Sequence, residues 1–191
     1  EVILLSSNDY LGLATHPEVI RAAIHATEQY GTGSGASRLV SGTLPPHTHL
    51  ETSLATFKGT EAALLLGAGY LANIGIIPNL IGQGGLILAD RLCHASLIDG
   101  CRLSRADLRV FRHRDCAHLE SLLRRRSASR PTLIITEGLF SMDGDLAPLS
   151  DLASLAERYE ATLYVDDAHG TGIMGPTGRG TIEHFGLEQR I

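Results

Sequence analysis

Short apolar runs alternate with amphipathic helical segments over residues 62–165, and this alternation constrains the fold more than any other feature. The strand-like runs are 62–66, 86–90, 108–111, 133–136 and 163–165. The helical segments between them run through 73–77, from 91 to about 103, over 116–126 with Asp115 as N-cap, and over 148–159. Strands separated by helices form a mainly parallel sheet covered on both faces. The sequence therefore predicts a three-layer αβα fold of the α/β class.

A short strand and two further helices are predicted before this region. Residues 2–5 have the composition of a short strand. Thr15 and Glu18 have the spacing of a capping box, so we expect Thr15 to be the N-cap of a helix that ends at Gly31. A second helix is expected over residues 47–57, where Leu and Phe recur at helical spacing.

Composition excludes several classes of function. The chain has 191 residues, of which 43% are hydrophobic and 19% are charged, as in a protein with one sizeable core. A net charge of −5 argues against nucleic-acid and membrane-surface partners. The basic cluster 124–126 is interpreted as a solvated helix end. Cys93, Cys101 and Cys116 are odd in number and form no C-x-x-C pair, which favours a reduced, cytoplasmic setting.

Polar residues that could bind a ligand or take part in a reaction follow the predicted strands. The carboxyl ends of parallel strands meet at one edge of a sheet, where ligands collect. The residues expected at this edge are Gly69, Tyr70, His94, Glu137, Ser141, Asp166 and His169. Together they offer a helix start for an anion, an imidazole, a hydroxyl and a carboxylate. This set suits a planar, phosphate-bearing cationic heterocycle better than a metal, a nucleotide or an acylated serine.

Two other interpretations of the Asp-Asp-Ala-His stretch stay open at this point. Asp166 and Asp167 could simply cap a turn after the last strand. They could also form a metal-hydrolase site with His169 and Glu137. The predicted sheet argues against a metal, because it places groups that suit a ring and a phosphate at the same edge.

The Gly- and Ser-rich loop 31–42 resembles two known motifs without matching either. Glycines at 31 and 33 with Ala36 fit a loose dinucleotide fingerprint, but a helix precedes the loop where that motif needs a strand. The serines of the loop lack the flanking glycines of a nucleophile elbow. A tight loop with positive φ angles is the default expectation. His47 and His49 lack a nearby third ligand and are interpreted as ordinary surface histidines.

Six stretches, in this order along almost the whole chain, resemble the α-oxoamine synthases, which are pyridoxal-phosphate (PLP) enzymes of fold type I. The stretches are 8–13, 33–42, 69–73, 90–96, 136–145 and 165–172. The resemblance implies the large domain of the PLP-dependent transferase (aspartate aminotransferase-like) fold, incomplete at its C-terminus. It also implies an N-terminal segment and helix over 1–30 and a partial PLP-binding large domain over 31–191.

The resemblance implies roles for the residues at the sheet edge. Asp166 would pair with the protonated pyridine nitrogen, and His94 would stack on the ring near the substrate carboxylate. Ser141 and His169 would hydrogen-bond the ring hydroxyl. The backbone of Gly69 and Tyr70 would help to hold the phosphate. Asn73 and Glu137 would be supporting residues of the site. Asn8 is expected to face the substrate, and no metal is expected.

The resemblance also implies the reaction and the partners. Members of the family condense an amino acid with an acyl thioester and release CO2. Residues 34–42 and 166–172 most resemble the members that use L-alanine with pimeloyl-CoA or a pimeloyl-carrier protein in biotin synthesis. Relatives that use glycine or serine are the alternative. Family members are homodimers, so the intact protein is expected to be one.

One family feature has no counterpart in the sequence. The Schiff-base lysine of the family lies in a motif beyond the Asp-Asp-Ala-His strand, and Lys58 does not match that motif. We therefore expect the chain to be a fragment that is inactive alone, while the intact protein is an enzyme. A non-catalytic, lysine-less family member is the competing interpretation.

Overall fold

The computed structural model describes residues 2–4 and 6–191. Within them lie seven helices and four strands. In chain order they are α1 (Pro17–Tyr30), α2 (Pro45–Lys58), α3 (Gly69–Leu80), β1 (Leu86–Asp90), α4 (Ala95–Ser104), β2 (Asp107–Phe111), α5 (Cys116–Arg124), β3 (Thr132–Glu137), α6 (Leu149–Arg158), β4 (Thr162–Asp166) and α7 (Thr181–His184). The chain divides into two compact units, Glu1–Leu65 and Leu66–Ile191. The division into 1–30 and 31–191 that the resemblance implies stays a prediction.

The first unit contains α1 and α2, and its predicted N-cap is wrong. His16, not Thr15, precedes the helix, and its Nδ1 accepts the Glu18 N–H at 3.3 Å. Pro17 occupies the first helical position, where a missing N–H costs nothing, so the cap falls on the residue directly before it. Gly31 ends α1 with a φ of 80°, as the loop interpretation predicts.

The two most N-terminal strand predictions are not confirmed. Residues 2–4 form no strand, and Leu5 lies outside the described residues. Residues 62–66 are also not a strand, because side chains satisfy the backbone there. The Leu65 N–H donates to Glu51 Oε1 at 2.7 Å, and the Leu65 carbonyl accepts from Arg38 Nη1 at 2.9 Å. A short apolar run in the sequence does not reveal whether its backbone bonds to side chains, as here, or to a neighbouring strand of a sheet.

The second unit is built on a four-stranded parallel sheet in the order β2-β1-β3-β4. Leu86 pairs with Asp107 on one side and with Thr132 on the other, and Leu133 pairs with Thr162. Every residue of the two central strands β1 and β3 is buried. All four strands lie within one residue of their predicted bounds, and their carboxyl ends form one edge.

Helices cover both faces of the sheet. Successive strand residues point to opposite faces, so β1 divides its side chains between two cores. Leu86 and Leu88 pack in one core with the leucines of α5 and α6. Ile87 and Ala89 pack in the other core with Ile77 of α3 and with residues of α4. The predicted three-layer αβα arrangement is confirmed.

Helices α3 and α4 approach each other closely at Gly100. A Cβ atom built on Gly100 would lie 2.7 Å from the Asn73 carbonyl oxygen and 3.0 Å from Ile77 Cδ1. Only glycine allows this approach without a shift of one helix. The contact fixes α3 against α4 at Asn73, which lies at the sheet edge.

Helix ends agree with the predictions in one place and differ in two. Helix α3 continues through Pro78 to Leu80. Asp115 caps α5 as predicted, with its Oδ1 accepting the His118 N–H at 2.7 Å. The guanidinium of Arg126 is not solvated as predicted, because it donates to backbone carbonyls that include the Tyr159 carbonyl.

Candidate active site at the carboxyl edge of the sheet

A cleft of 280 Å³ lies at the carboxyl edge of the sheet. Its walls come from β4 and the turn after it, from the end of β3, and from the starts of α3 and α4. The polar residues that line it are Tyr70, Asn73, His94, Ser96, Glu137, Tyr164, Asp166, Asp167 and His169. The topology therefore brings together residues that are up to 99 positions apart in the sequence, from Tyr70 to His169.

Asp166 ends β4 and presents its carboxylate to the cleft. Its Oδ2 accepts Asn73 Nδ2 at 2.8 Å, and its Oδ1 accepts the Ala168 N–H at 3.1 Å. The second bond closes a local turn of the kind that aspartate favours. Both donors are neutral, so the carboxylate is oriented and can still pair with a cationic group of a ligand.

Asn73 connects three side chains beneath the cleft. It is 4% exposed, and its amide group makes three hydrogen bonds. Tyr164 Oη donates to Asn73 Oδ1 at 2.8 Å, and Asn73 Nδ2 donates to Ser96 Oγ at 2.9 Å as well as to Asp166. Burial and the nearby charge of Asp166 raise the pKa of Tyr164 to about 12. Its hydroxyl therefore stays protonated and remains a donor.

His94 precedes α4 and is held by its backbone and by its ring. Its N–H donates to Glu137 Oε1 at 2.6 Å, and its Nδ1 lies 2.7 Å from Ser96 Oγ. Glu137 is 4% exposed, and burial raises the pKa of its carboxyl, with the His94 N–H acting in the opposite direction. A nearly buried acceptor at the end of β3 thus positions the residue that precedes α4.

The start of α3 supplies backbone donors to the cleft. Ala72 donates the first hydrogen bond of the helix ladder, to Ala68, so the amides of Gly69 and Tyr70 have no partner within the helix. Such amides, at the positive end of the helix dipole, can bind an anion. The Tyr70 hydroxyl donates to Asp99 Oδ2 at 2.6 Å, which fixes the ring at the edge of the cleft.

Asp167 has a structural role that separates it from Asp166. Its carboxylate accepts the Thr181 N–H at 3.0 Å and the Thr181 hydroxyl at 2.6 Å, at the start of α7. Gly170 is required beside it, because a Cβ there would lie 2.2 Å from Asp167 Oδ1. The turn-capping interpretation is therefore right for Asp167, while Asp166 also faces the cleft.

Two residues of the implied site are not among those that line the cleft. Ser141 is exposed in the loop after β3 and does not line the cleft. Asn8 belongs to the first unit, is exposed, and accepts a hydrogen bond from the Tyr10 hydroxyl at 3.3 Å. The roles implied for Ser141 and Asn8 stay predictions.

Sequence reasoning missed Ser96 and the hydroxyl of Tyr164. A usable signal existed for Tyr164, since residues two apart on a strand share a face, and Tyr164 is two residues before Asp166. Ser96 gave a weaker signal as a polar residue in the first turn of α4. Both residues hydrogen-bond Asn73, which is distant in the sequence.

Metal binding and membrane spanning find no support in the described part of the chain. No group of three or more His, Cys, Asp or Glu side chains among residues 2–4 and 6–191 is arranged to hold a metal ion. Over the same residues, none of the helices combines the length and the apolar character needed to cross a bilayer.

The arrangement has defined chemical capabilities. An oriented carboxylate can pair with a cation, and backbone amides can bind an anion. An imidazole beside them can donate or accept a proton. A ligand with a cationic ring and an anionic substituent would satisfy all three groups.

Known proteins resemble the chain over its whole length. Residues 1–191 match the family described as "Aminotransferase class I and II". The 8-amino-7-oxononanoate synthase of Geobacter sulfurreducens is 58% identical, over 97% of this chain and 47% of that protein. The 8-amino-7-oxononanoate synthase 1 of Bacillus subtilis is 48% identical, over 100% of this chain and 49% of that protein. The chain thus spans about half the length of the curated relatives that it matches.

Solved structures agree with this assignment. Serine palmitoyltransferase from S. paucimobilis with a bound PLP-myriocin aldimine has a TM-score of 0.96 and 40% identity, over 99% of this chain and 49% of that chain. The 8-amino-7-oxononanoate synthase from Francisella tularensis has a TM-score of 0.82 and 31% identity, over 98% of this chain and 51% of that chain. The predicted resemblance to the α-oxoamine synthases, with their PLP-dependent transferase fold, is confirmed, and the chain belongs to the aminotransferase class I and II family.

Proposed function

We propose that the whole protein carrying this chain is a PLP-dependent C-acyltransferase. It condenses L-alanine with pimeloyl-CoA or a pimeloyl-carrier protein, releases CO2 and forms 8-amino-7-oxononanoate. The observation that carries the proposal is the oriented carboxylate of Asp166, which shares one cleft with His94 and with the start of α3. Relatives at 48% and 58% identity that are named 8-amino-7-oxononanoate synthase support it.

The cleft residues fit PLP by their chemistry. When bound, PLP supplies an electron sink for negative charge that develops on the α-carbon of an amino acid. Asp166 would hold the pyridine nitrogen in its protonated state, which needs an anionic partner. The amides of Gly69 and Tyr70 would hold the phosphate, and His169 would face the ring hydroxyl. Ser141 would join His169 from the loop after β3.

The chain's own residues then prepare the site for its substrate. Asn73 keeps the carboxylate of Asp166 directed at the cleft, through the bond of 2.8 Å. Glu137 holds the backbone of His94, so the imidazole stays beside the place where the amino acid binds. Asn8 is proposed to contact the substrate.

The Schiff-base lysine is proposed to lie outside residues 1–191. Lys58 is the only lysine of the chain and is the last residue of α2. Its surroundings, Phe-Lys-Gly-Thr-Glu, do not match the lysine motif of the family. We also propose that the whole protein is a homodimer located in the cytoplasm.

The amino acid and the acyl thioester can be tested together. The whole protein, loaded with PLP, is incubated with pimeloyl-CoA and with L-alanine, glycine or L-serine in parallel, and products are identified by mass spectrometry. We expect 8-amino-7-oxononanoate from L-alanine at a kcat/KM roughly ten-fold or more above that with glycine, since one methyl group contributes about 1–3 kcal/mol of discrimination. A preference for glycine or serine would support the related synthases, and no product with any amino acid would support a non-catalytic member.

A further inference from the structure

The direction of each hydrogen bond that Asn73 makes below the cleft follows from which atoms can donate and which can only accept. A carboxylate can only accept, so Asp166 Oδ2 faces the Asn73 NH2 group, and Asn73 Oδ1 is left to accept from the Tyr164 hydroxyl. The Asn73 NH2 group then donates to Asp166 Oδ2 and to Ser96 Oγ. Since Ser96 Oγ accepts from Asn73, its own hydrogen remains available for His94 Nδ1, 2.7 Å away.

A second contact agrees with Nδ1 of His94 as an acceptor. The backbone N–H of Ser96 points at the same atom, at a distance of 3.2 Å, and an amide N–H can only donate. Nδ1 has a single lone pair, and the Ser96 hydroxyl at 2.7 Å is the shorter of the two contacts, so the hydroxyl is the main donor to it.

We infer that Ser96 is a positioning residue that holds His94 as its Nε2–H tautomer and joins the imidazole to Asp166 through Asn73. Ser96 is 1% exposed, so water does not compete for its hydroxyl. The tautomer assignment stands on the geometry alone, and its catalytic consequence rests on the proposed function.

The tautomer restricts what His94 can do in the cleft. With its proton on Nε2 and its Nδ1 occupied by Ser96, the ring can donate a hydrogen bond at Nε2. It cannot take up a proton at that atom. His94 is therefore a donor to an anionic oxygen of the bound substrate, such as the carboxylate of an amino acid, and not the base that deprotonates the substrate.

Nitrogen NMR of the whole protein, labelled with 15N-histidine, tests the tautomer without PLP or substrate. His94→Gln identifies the His94 signals among those of the nine histidines of residues 1–191 and any others. We expect an Nδ1 signal of the unprotonated type and an Nε2 signal of the protonated type. A protonated Nδ1, or an averaged pair of signals, would overturn the inference.

Ser96→Ala tests the role of the hydroxyl, with Ser150→Ala on the exposed surface of α6 as the matched control. We expect averaged His94 signals in the Ser96 variant and unchanged signals in the control. If Ser96→Ala retains a pure Nε2–H tautomer, the backbone N–H suffices and the role of Ser96 is refuted.

Kinetics of the PLP-loaded protein supply a second measurement. We expect Ser96→Ala to lower kcat by about ten-fold with little change in the KM for the thioester, since a misoriented imidazole affects the reaction more than thioester binding. An unchanged kcat together with averaged NMR signals would refute the catalytic consequence. A wild-type protein with the expected tautomer and no synthase activity would refute the proposed function and leave the tautomer assignment intact.

Discussion

At the scale of single residues, the cleft depends on charges that neutral groups hold in place. The carboxylate of Asp166 receives hydrogen bonds from Asn73 and from the Ala168 N–H, and neither donor cancels its charge. The carboxyl of Glu137 is nearly buried and serves the His94 backbone. One carboxylate is therefore available to a ligand, while the other is committed to the protein.

Asp166→Asn should weaken PLP binding in the whole protein by roughly 10- to 100-fold, the range expected when a hydrogen bond to a charged group is lost. The asparagine retains the size of the side chain but removes the anionic partner of the pyridine nitrogen. Absorbance titration with PLP measures the effect. Asp151→Asn, which removes an exposed charge on α6, is the control and should leave PLP binding unchanged.

Glu137→Gln should increase stability at neutral pH relative to the wild type. Burial raises the pKa of Glu137, so ionisation opposes folding, and this cost is present above the folded-state pKa and absent below the ordinary value of 4.5. The glutamine retains an oxygen acceptor for the His94 N–H. Urea unfolding at pH 7 and pH 4 should show a difference between the variants only at pH 7, and an equal or larger difference at pH 4 would contradict this reasoning.

The sequence was sufficient to place His94, Glu137 and Asp166 at the sheet edge, because each follows a predicted strand whose direction the alternating pattern indicates. It was not sufficient for Ser96, whose importance arises from a contact with Asn73, 23 residues away. Ser141 was selected by its position after a predicted strand and Asn8 by family resemblance, and both residues are exposed in the structure. Local pattern therefore locates residues at the sheet edge, whereas the bonds between them depend on tertiary packing.

At the scale of helices and strands, each of the two units contains one contact that holds neighbouring segments together. In the second unit, Gly100 lets α4 approach α3 at Asn73. In the first unit, the pair Arg38 and Glu51 binds both backbone groups of Leu65. The first contact was not predicted, and the second explains why residues 62–66 are not a strand.

Gly100→Ala should destabilise the protein by about 1–3 kcal/mol or more, since the added Cβ would lie 2.7 Å from the Asn73 carbonyl oxygen and the helices would have to separate. Gly75→Ala, in α3, is the matched control. There the Cβ would meet only Leu66 Cδ2 at 3.7 Å, so the usual gain of about 0.5–1 kcal/mol for alanine in a helix is expected. Urea unfolding measures both, and equal effects would refute the close-packing argument.

The bond between Arg38 and Glu51 should make the first unit sensitive to acid. The hydrogen bond from Arg38 lowers the pKa of Glu51 from 4.5 to about 2, and the Leu65 N–H adds to this effect. A lowered carboxyl pKa contributes stability above 4.5, and that contribution is lost as the pH falls toward 2. The protection factor of the Leu65 amide, which is the ratio of the intrinsic to the observed exchange rate at each pH, should therefore fall over this range in the wild type, whereas in Glu51→Gln it should already be lower at pH 6 and change less.

The helix and strand predictions succeeded where local chemistry decides the outcome. Asp115 caps α5 because its side chain is adjacent to the amides it accepts. Thr15 failed as a cap because Pro17 set the helix start one residue later than the capping box implied. Helix α7 was not predicted, since four residues carry little periodicity and Asp167 determines their start.

At the scale of the whole molecule, a parallel sheet places the ends of all its strands on one edge. This single property brings the ends of β3 and β4 beside the starts of α3 and α4, and it accounts for the cleft. Two cores, one on each face, hold the sheet rigid beneath it. The curated relatives that the chain matches are about twice as long as the chain.

The central claim is that this cleft holds PLP in an enzyme whose Schiff-base lysine lies outside residues 1–191. The direct test is to load the whole protein with PLP, reduce it with borohydride, digest it and locate the modified peptide by mass spectrometry. We predict one pyridoxyl group, on a lysine outside residues 1–191, with Lys58 unmodified. An unmodified protein, or a pyridoxyl group on Lys58 alone, would contradict the account.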